Sequence, residues 1–318
     1  MAYSAGDAIL DDEYNTFVNS SSDPFGYNHF AGTGALNYGL NQTAIATVSA
    51  GDTIAASSWN ALFTGLANIA NHTNVSITAS SVSAGDAIAI RSALVANLAS
   101  VAAAVAGGST SATALADRAA GTSTNAATWN ATATLERSIT FANNATMRAF
   151  FNAGGSIKID PGTSGSVDGD KDTVFEQLTA AAGVISFKAH ATSKAGGGGE
   201  TQTSFATGNG FYDMGTSYTS INKITSNNSG YTSDTLEIFA KLNAAPGSAT
   251  VITFKMVGTD PAADTTYSSG NLSSVPTNPN ECPKLVLALT ANEPTAAQGL
   301  AAAIQFASNT EVSNSVTN

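Results

Sequence analysis

Asp168-Gly169-Asp170-Lys171-Asp172 is a charge run with carboxylates at alternate positions. Alternate carboxylates open calcium loops, where the first, third and fifth positions supply oxygen ligands. The rest of that pattern fails here. Thr173 stands where the turn glycine belongs, and Thr179 where the closing glutamate belongs. Asp170 or Asp172 suits the start of a helix better, where a carboxylate offsets the dipole and caps free amides. His29, His72 and His190 lie in different segments with no pair four apart, and Cys282 is the one cysteine. Zinc needs such ligands clustered. His72 reads as the end of a helix. Gly196–Gly199 precedes Glu200-Thr201-Gln202 rather than a Lys-Ser/Thr helix start, so it reads as a hairpin loop and not a phosphate loop. No Gly-x-Ser-x-Gly elbow occurs. The residues therefore predict no catalytic, cofactor-binding or metal site and no cofactor.

The elements around these residues carry little charge. Only 11% of the 318 residues are charged, against roughly 25% in typical domains. Ser, Thr, Asn, Ala and Gly take their place. Such a surface loses less side-chain entropy at a contact than one rich in Lys and Glu. The net charge is −11, which argues against phosphate neutralisation of nucleic acid and against an anionic membrane surface. Residues 1–105 hold seven acids and one base, Arg91. A single cysteine leaves the fold to packing rather than disulfides. The N-terminus shows no signal peptide, and no apolar run approaches the length of a membrane span.

One phrase recurs three times: Ser4-Ala5-Gly6-Asp7, Ser49-Ala50-Gly51-Asp52 and Ser83-Ala84-Gly85-Asp86. Ile9, Ile54 and Ile88 follow at one offset. Tyr14-Asn15 and Trp59-Asn60 follow at another, where the third copy carries Ala93-Leu94. Gly-Asp predicts a turn, followed by a helix capped by Asp11 or Asp12 in the first copy and by Ser57 or Ser58 in the second. Trp59, Leu62, Phe63, Leu66, Ile69 and Ala70 make one apolar helix face, and Leu94, Leu98, Val101 and Val105 another. Residues 20–45 read as an ordered loop.

The expected fold class is α+β. N-terminal helical turn-helix repeats over 1–106 form a docking or oligomerisation domain. A Ser/Thr/Ala/Gly-rich linker or arm spans 107–134. An antiparallel β-rich, sandwich-like domain with two short helices covers 135–293, and a C-terminal arm or tail covers 294–318, with a short helix over 297–306. Predicted strands include Leu135–Phe141, Ser156–Asp160, Val184–Ala191, Leu236–Leu242, Val251–Met256 and Lys284–Leu289. Ala245-Pro246-Gly247-Ser248 is a hairpin turn. Phe150 and Phe151 are adjacent on a helix, so one is expected to project towards a neighbouring domain or subunit.

The segment Ser138 to Ile159, with Met147-Arg148-Ala149-Phe150-Phe151-Asn152-Ala153-Gly154-Gly155 at its centre, resembles a phrase common in virion structural proteins of tailed bacteriophages, especially marine ones. Trp59-Asn60 with the trailing His72 is similar to their N-terminal part. So is the order Gly210-Phe211-Tyr212-Asp213, then Tyr231-Thr232-Ser233. The resemblance covers most of residues 1–260 and carries no catalytic residue over. It implies a virion building block and leaves open where on the particle it sits; the expected function is a non-enzymatic tail, neck or fibre-type appendage, assembled in the host cytoplasm. Its partners would be copies of itself, as a trimer, and other virion proteins, without nucleic acid or membrane. The alternatives are a capsid decoration protein and a glycan-binding adhesion module using Tyr212-Asp213 or Tyr231 on a host surface glycan. A glycan-degrading enzyme would need two carboxylates facing across a cleft.

Overall fold

A computed structural model describes residues 11–22, 25–31, 40, 42–83, 91–108, 110–165, 170–261, 282–296, 300 and 302–317. The chain divides into two compact units. The first comprises residues 1–116, 145–155 and 293–305, and the second 117–144, 156–292 and 306–318.

The first unit is helical: α1 (Asp11–Asn19), α2 (Tyr27–Phe30), α3 (Ala56–His72), α4 (Arg91–Ala106) and α5 (Asn144–Asn152). The apolar faces read from the sequence are the ones buried. Trp59, Leu62, Phe63, Leu66, Ile69 and Ala70 of α3 and Leu94, Leu98, Val101 and Val105 of α4 are all interior. Tyr14 meets Trp59 edge-on at 5.2 Å, and Phe63 stacks on Trp59 at 6.1 Å. Such pairs add about 0.5–1.5 kcal/mol beyond their area. Helix α3 is not capped by Ser57 or Ser58. It begins at Ala56 behind Ala55, and no side chain caps it. The expected loop over 20–45 contains α2. Phe150 and Phe151 are both fully buried, edge to face at 5.1 Å, so neither is left to project outwards.

The second unit is sandwich-like. A five-stranded sheet is built from β1 (Leu115–Thr124), β3 (Ser156–Ser164), β4 (Val184–Phe187), β5 (Thr192–Ala195) and β10 (Lys284–Pro294), in the order β1-β10-β3-β4-β5. A six-stranded sheet is built from β2 (Thr132–Thr140), β6 (Thr201–Phe205), β7 (Thr219–Thr225), β8 (Thr235–Leu242), β9 (Val251–Thr259) and β11 (Ser308–Thr317), in the order β11-β2-β9-β8-β7-β6. The alternation of β8 and β10 explains their placement. Leu236, Ile238, Ala240 and Leu242 point inwards, as do Leu285, Leu287, Leu289 and Ala291. The sheets face one another. Phe187 of β4 meets Phe254 of β9 edge-on at 5.5 Å. Arg137 of β2 donates to Thr122 O and Ser123 Oγ on β1. At Gly258 of β9 an added Cβ would sit 2.8 Å from both Leu285 Cδ1 and Trp129 Cη2, so only glycine lets the layers approach there. Helix α6 (Asp170–Ala182) buries Val174, Phe175 and Leu178.

Three further expectations change. The linker over 107–134 is largely structure: it supplies β1, the start of β2, and Trp129, which is fully buried. The tail over 294–318 supplies β11, which pairs antiparallel with β2, whereas residues 302–307 are not helical. The glycine run 196–199 joins β5 of one sheet to β6 of the other, so it is a crossover and not a hairpin loop. All four glycines have positive φ, between 74° and 146°, which other residues rarely adopt.

Among the described residues the helices run 9, 17 and 16 residues, with α2 after the first, and the turn-helix repeat is not confirmed. A smaller device does recur. Asn15 Nδ2 donates to Val48 O at 2.8 Å while Val48 N donates to Asn15 Oδ1 at 2.9 Å. Asn60 treats Val82 in the same way, at 2.9 and 2.8 Å. Each valine immediately precedes a Ser-Ala-Gly-Asp phrase. An asparagine on one helix therefore grips the strand-like lead-in to the next copy, as a β-bridge partner would. In the second copy Ser49 N donates to Asp52 Oδ2 and Asp52 N to Ser49 O, so the predicted turn is present. The first copy, and the third beyond Ser83, lie outside the described residues.

Candidate functional site

The strongest concentration of buried chemistry lies in the second unit, and it is assembled from five separate segments. Lys171 is the second residue of α6. Asp260 directly follows β9, and Asp234 directly precedes β8. Asn130 lies just before β2, and Cys282 just before β10. Backbone bonds fix their places. Asp260 N donates to Ala131 O, Cys282 N to Trp129 O, and Asp234 N to Tyr231 O.

Lys171 Nζ donates to Asp260 Oδ2 at 2.6 Å and to Asn130 Oδ1 at 3.1 Å. Both charged side chains of this ion pair are 0% exposed. Cys282 Sγ donates to the same Asp260 oxygen at 3.3 Å. Burial, then the Asp260 carboxylate, push the Cys282 thiol far above its usual range, so it stays protonated and inert as a nucleophile. Phe175, one turn along α6 from Lys171, meets Trp129 edge-on at 4.7 Å, and Trp129 Nε1 is spent on Pro283 O. These rings make an apolar wall beside the polar groups.

Asp234 is the second carboxyl of the cluster. It is fully buried, and neither oxygen accepts a hydrogen bond. Burial and the neighbouring Asp260 raise its pKa to about 8, against the opposing pull of Lys171. Two neighbouring buried carboxyls do not both carry a charge cheaply, so one of them keeps its proton. Asp234 thus stands as the neutral acid and Asp260 as the anion paired with Lys171. Burying such a pair costs several kcal/mol per ion before their attraction is counted.

The sequence placed no site here. Lys171 was legible only as part of the charge run at 168–172, as the residue between two acids. Asp170 and Asp172 fall in the first turn of α6, where their charge offsets the helix dipole, whereas the capping position before Asp170 lies outside the described residues. Residues 166–169, and with them Asp168, lie outside the described residues. Among the described residues no three His, Cys, Asp or Glu side chains are placed to hold a metal ion. At Asp260 the cation is the lysine ammonium itself.

The other sequence candidates are dispersed. His72 ends α3, as read, but its Nε2 donates to Ala153 O at 2.9 Å instead of serving its own helix end. His29 stacks on Phe25 at 4.0 Å, and burial lowers its pKa. His190 stacks on Tyr212 at 4.9 Å. Tyr212 is half-buried, and Asp213 is exposed with its Oδ2 accepting from Gly210 N. Tyr231 is buried, which removes it from any exposed glycan platform. In the first unit a groove of about 680 Å³ is lined by Tyr27, Gln42, Ile45, Asn68 and Leu300 among others. Tyr27 Oη there donates to Thr43 O at 3.0 Å.

No family model, no curated protein and no solved structure matches this chain. Among the described residues no helix is long and apolar enough to cross a membrane.

Proposed function

We propose that the chain is a non-enzymatic structural component of a tailed-phage virion. In this reading it is a tail, neck or fibre-type appendage that works as a homo-oligomer, with a trimer as the assembled form. Its partners are copies of itself and other virion proteins, and it is built in the host cytoplasm. The observation that carries the structural reading is the use of polar side chains as fasteners. Asn15 and Asn60 each spend both halves of an amide on the backbone lead-in to the next phrase. Asn28 does the same at Ile45, and Asn97 accepts from Thr78 N and Ala79 N. These amides are consumed in holding one segment of the chain to another, which suits a rigid building block. The virion assignment is supported by the phrase around Met147–Gly155 and by a surface poor in Lys and Glu, which suits contact with identical neighbours.

Light scattering on the purified full chain tests the reading. A trimer is the expected mass, and a monomer persisting at high concentration overturns it. Imaging of whole particles then fixes the position: density at the tail or neck supports the appendage, and density on the capsid lattice replaces it with a decoration protein.

A further inference from the structure

We propose that Lys171 and Asp260 join through a covalent amide between Nζ and Cγ, formed by the protein itself. Three features of the cluster carry this. The amine and the carboxyl are already in contact at 2.6 Å, so the reacting groups need no search. Both are shut away from water, and in a buried site a charged pair can pass its proton across to become amine and carboxylic acid. A third group, Asp234, is fully buried with no donor on either oxygen, and Asp260 is the neighbouring carboxyl whose charge acts on it, so it is placed to serve as the acid of the step.

The step balances without any outside reagent. The ammonium of Lys171 returns a proton to the Asp260 carboxylate. The free amine lone pair attacks Asp260 Cγ, whose oxygen is polarised by the proton of Asp234. The tetrahedral centre loses its hydroxyl as water, with Asp234 supplying the proton to the leaving oxygen and recovering one from the nitrogen. Ammonium plus carboxylate become amide plus one water, with no change of oxidation state. Asp234 ends as it began, so it acts as general acid and base. Cys282 donates to the same carboxyl, and the Trp129–Phe175 wall adjoins the site. The amide would replace a buried ion pair by a neutral group and tie the start of α6 to the end of β9, 89 residues later. The proposal is independent of the virion reading, because it concerns the chain alone.

Intact-mass spectrometry of the folded full chain under denaturing conditions tests it. The expected mass is below that of the sequence by one water. Trypsin then leaves a branched peptide joining Ile159–Lys188 to Met256–Lys284, because acylated Lys171 is no longer cleaved. Lys171→Met and Asp234→Asn should each restore the full mass. Asp234→Asn keeps both partners and the shape of the third, so its full mass reports lost chemistry. A wild-type chain at full sequence mass, without the branched peptide, overturns the proposal. A deficit of one ammonia also overturns it, since that is the product of Lys171 with Asn130.

Discussion

Replacing Asn60 by Leu puts into the second phrase the residue that the third copy carries at the same offset, Leu94. The change removes two bonds: Asn60 Nδ2 to Val82 O at 2.9 Å, and Val82 N to Asn60 Oδ1 at 2.8 Å. Each contributes about 1 kcal/mol net, and a buried backbone group left without a partner costs about 1–3 kcal/mol. Val82 is only 8% exposed, so water does not simply replace the amide. The leucine returns about 1 kcal/mol through its own apolar surface. The net loss is about 2–3 kcal/mol, and the Val82 amide should exchange with solvent deuterium roughly 30- to 150-fold faster. Asn60→Asp keeps the acceptor and loses the donor, so it should fall between wild type and Leu. Hydrogen exchange with peptide-level mass spectrometry reads all three. If Val82 exchanges at the wild-type rate in Asn60→Leu while the fold is retained, the clamp is not what holds the phrase, and the fastener argument fails.

Gly258→Ala forces a methyl to within 2.8 Å of the buried Trp129 and Leu285, so denaturant unfolding of the β-rich unit should show a loss of about 1–3 kcal/mol. His29 has its pKa lowered by burial, so the folded state binds fewer protons than the unfolded state near and below the ordinary value of 6.5. Its contribution is therefore present above that value and is lost as pH falls through the folded-state pKa. Thermal melts between about pH 5 and pH 7.5 should show less acid sensitivity in His29→Phe, which keeps the ring against Phe25; equal sensitivity refutes the assignment.

The sequence by itself determined the local elements. The apolar face of α3 is written at helical spacing from Trp59 to Ala70, and that of β8 at alternate residues from Leu236 to Leu242. Periodicity is enough there, because burial of one face is what makes each element form. The turn at Ser49–Asp52 and the hairpin at Ala245–Ser248 are equally local. Tertiary structure alone decided the rest. Leu115–Thr124 is small and polar, and reads as a linker. It is a strand because β10 and Arg137 offer partners to it. The polar run Ser308–Thr317 becomes β11 because the edge of β2 is open to it. Asn15 and Asn60 were visible as a repeated pair with an aromatic, but their partners, Val48 and Val82, lie 33 and 22 residues away. The cluster of Asn130, Lys171, Asp234, Asp260 and Cys282 left no local trace. Its members stand at the ends of separate strands and at one helix start. Side chains so far apart in sequence meet only when two sheets close over one another, and periodicity records which way a residue faces without recording what it will meet.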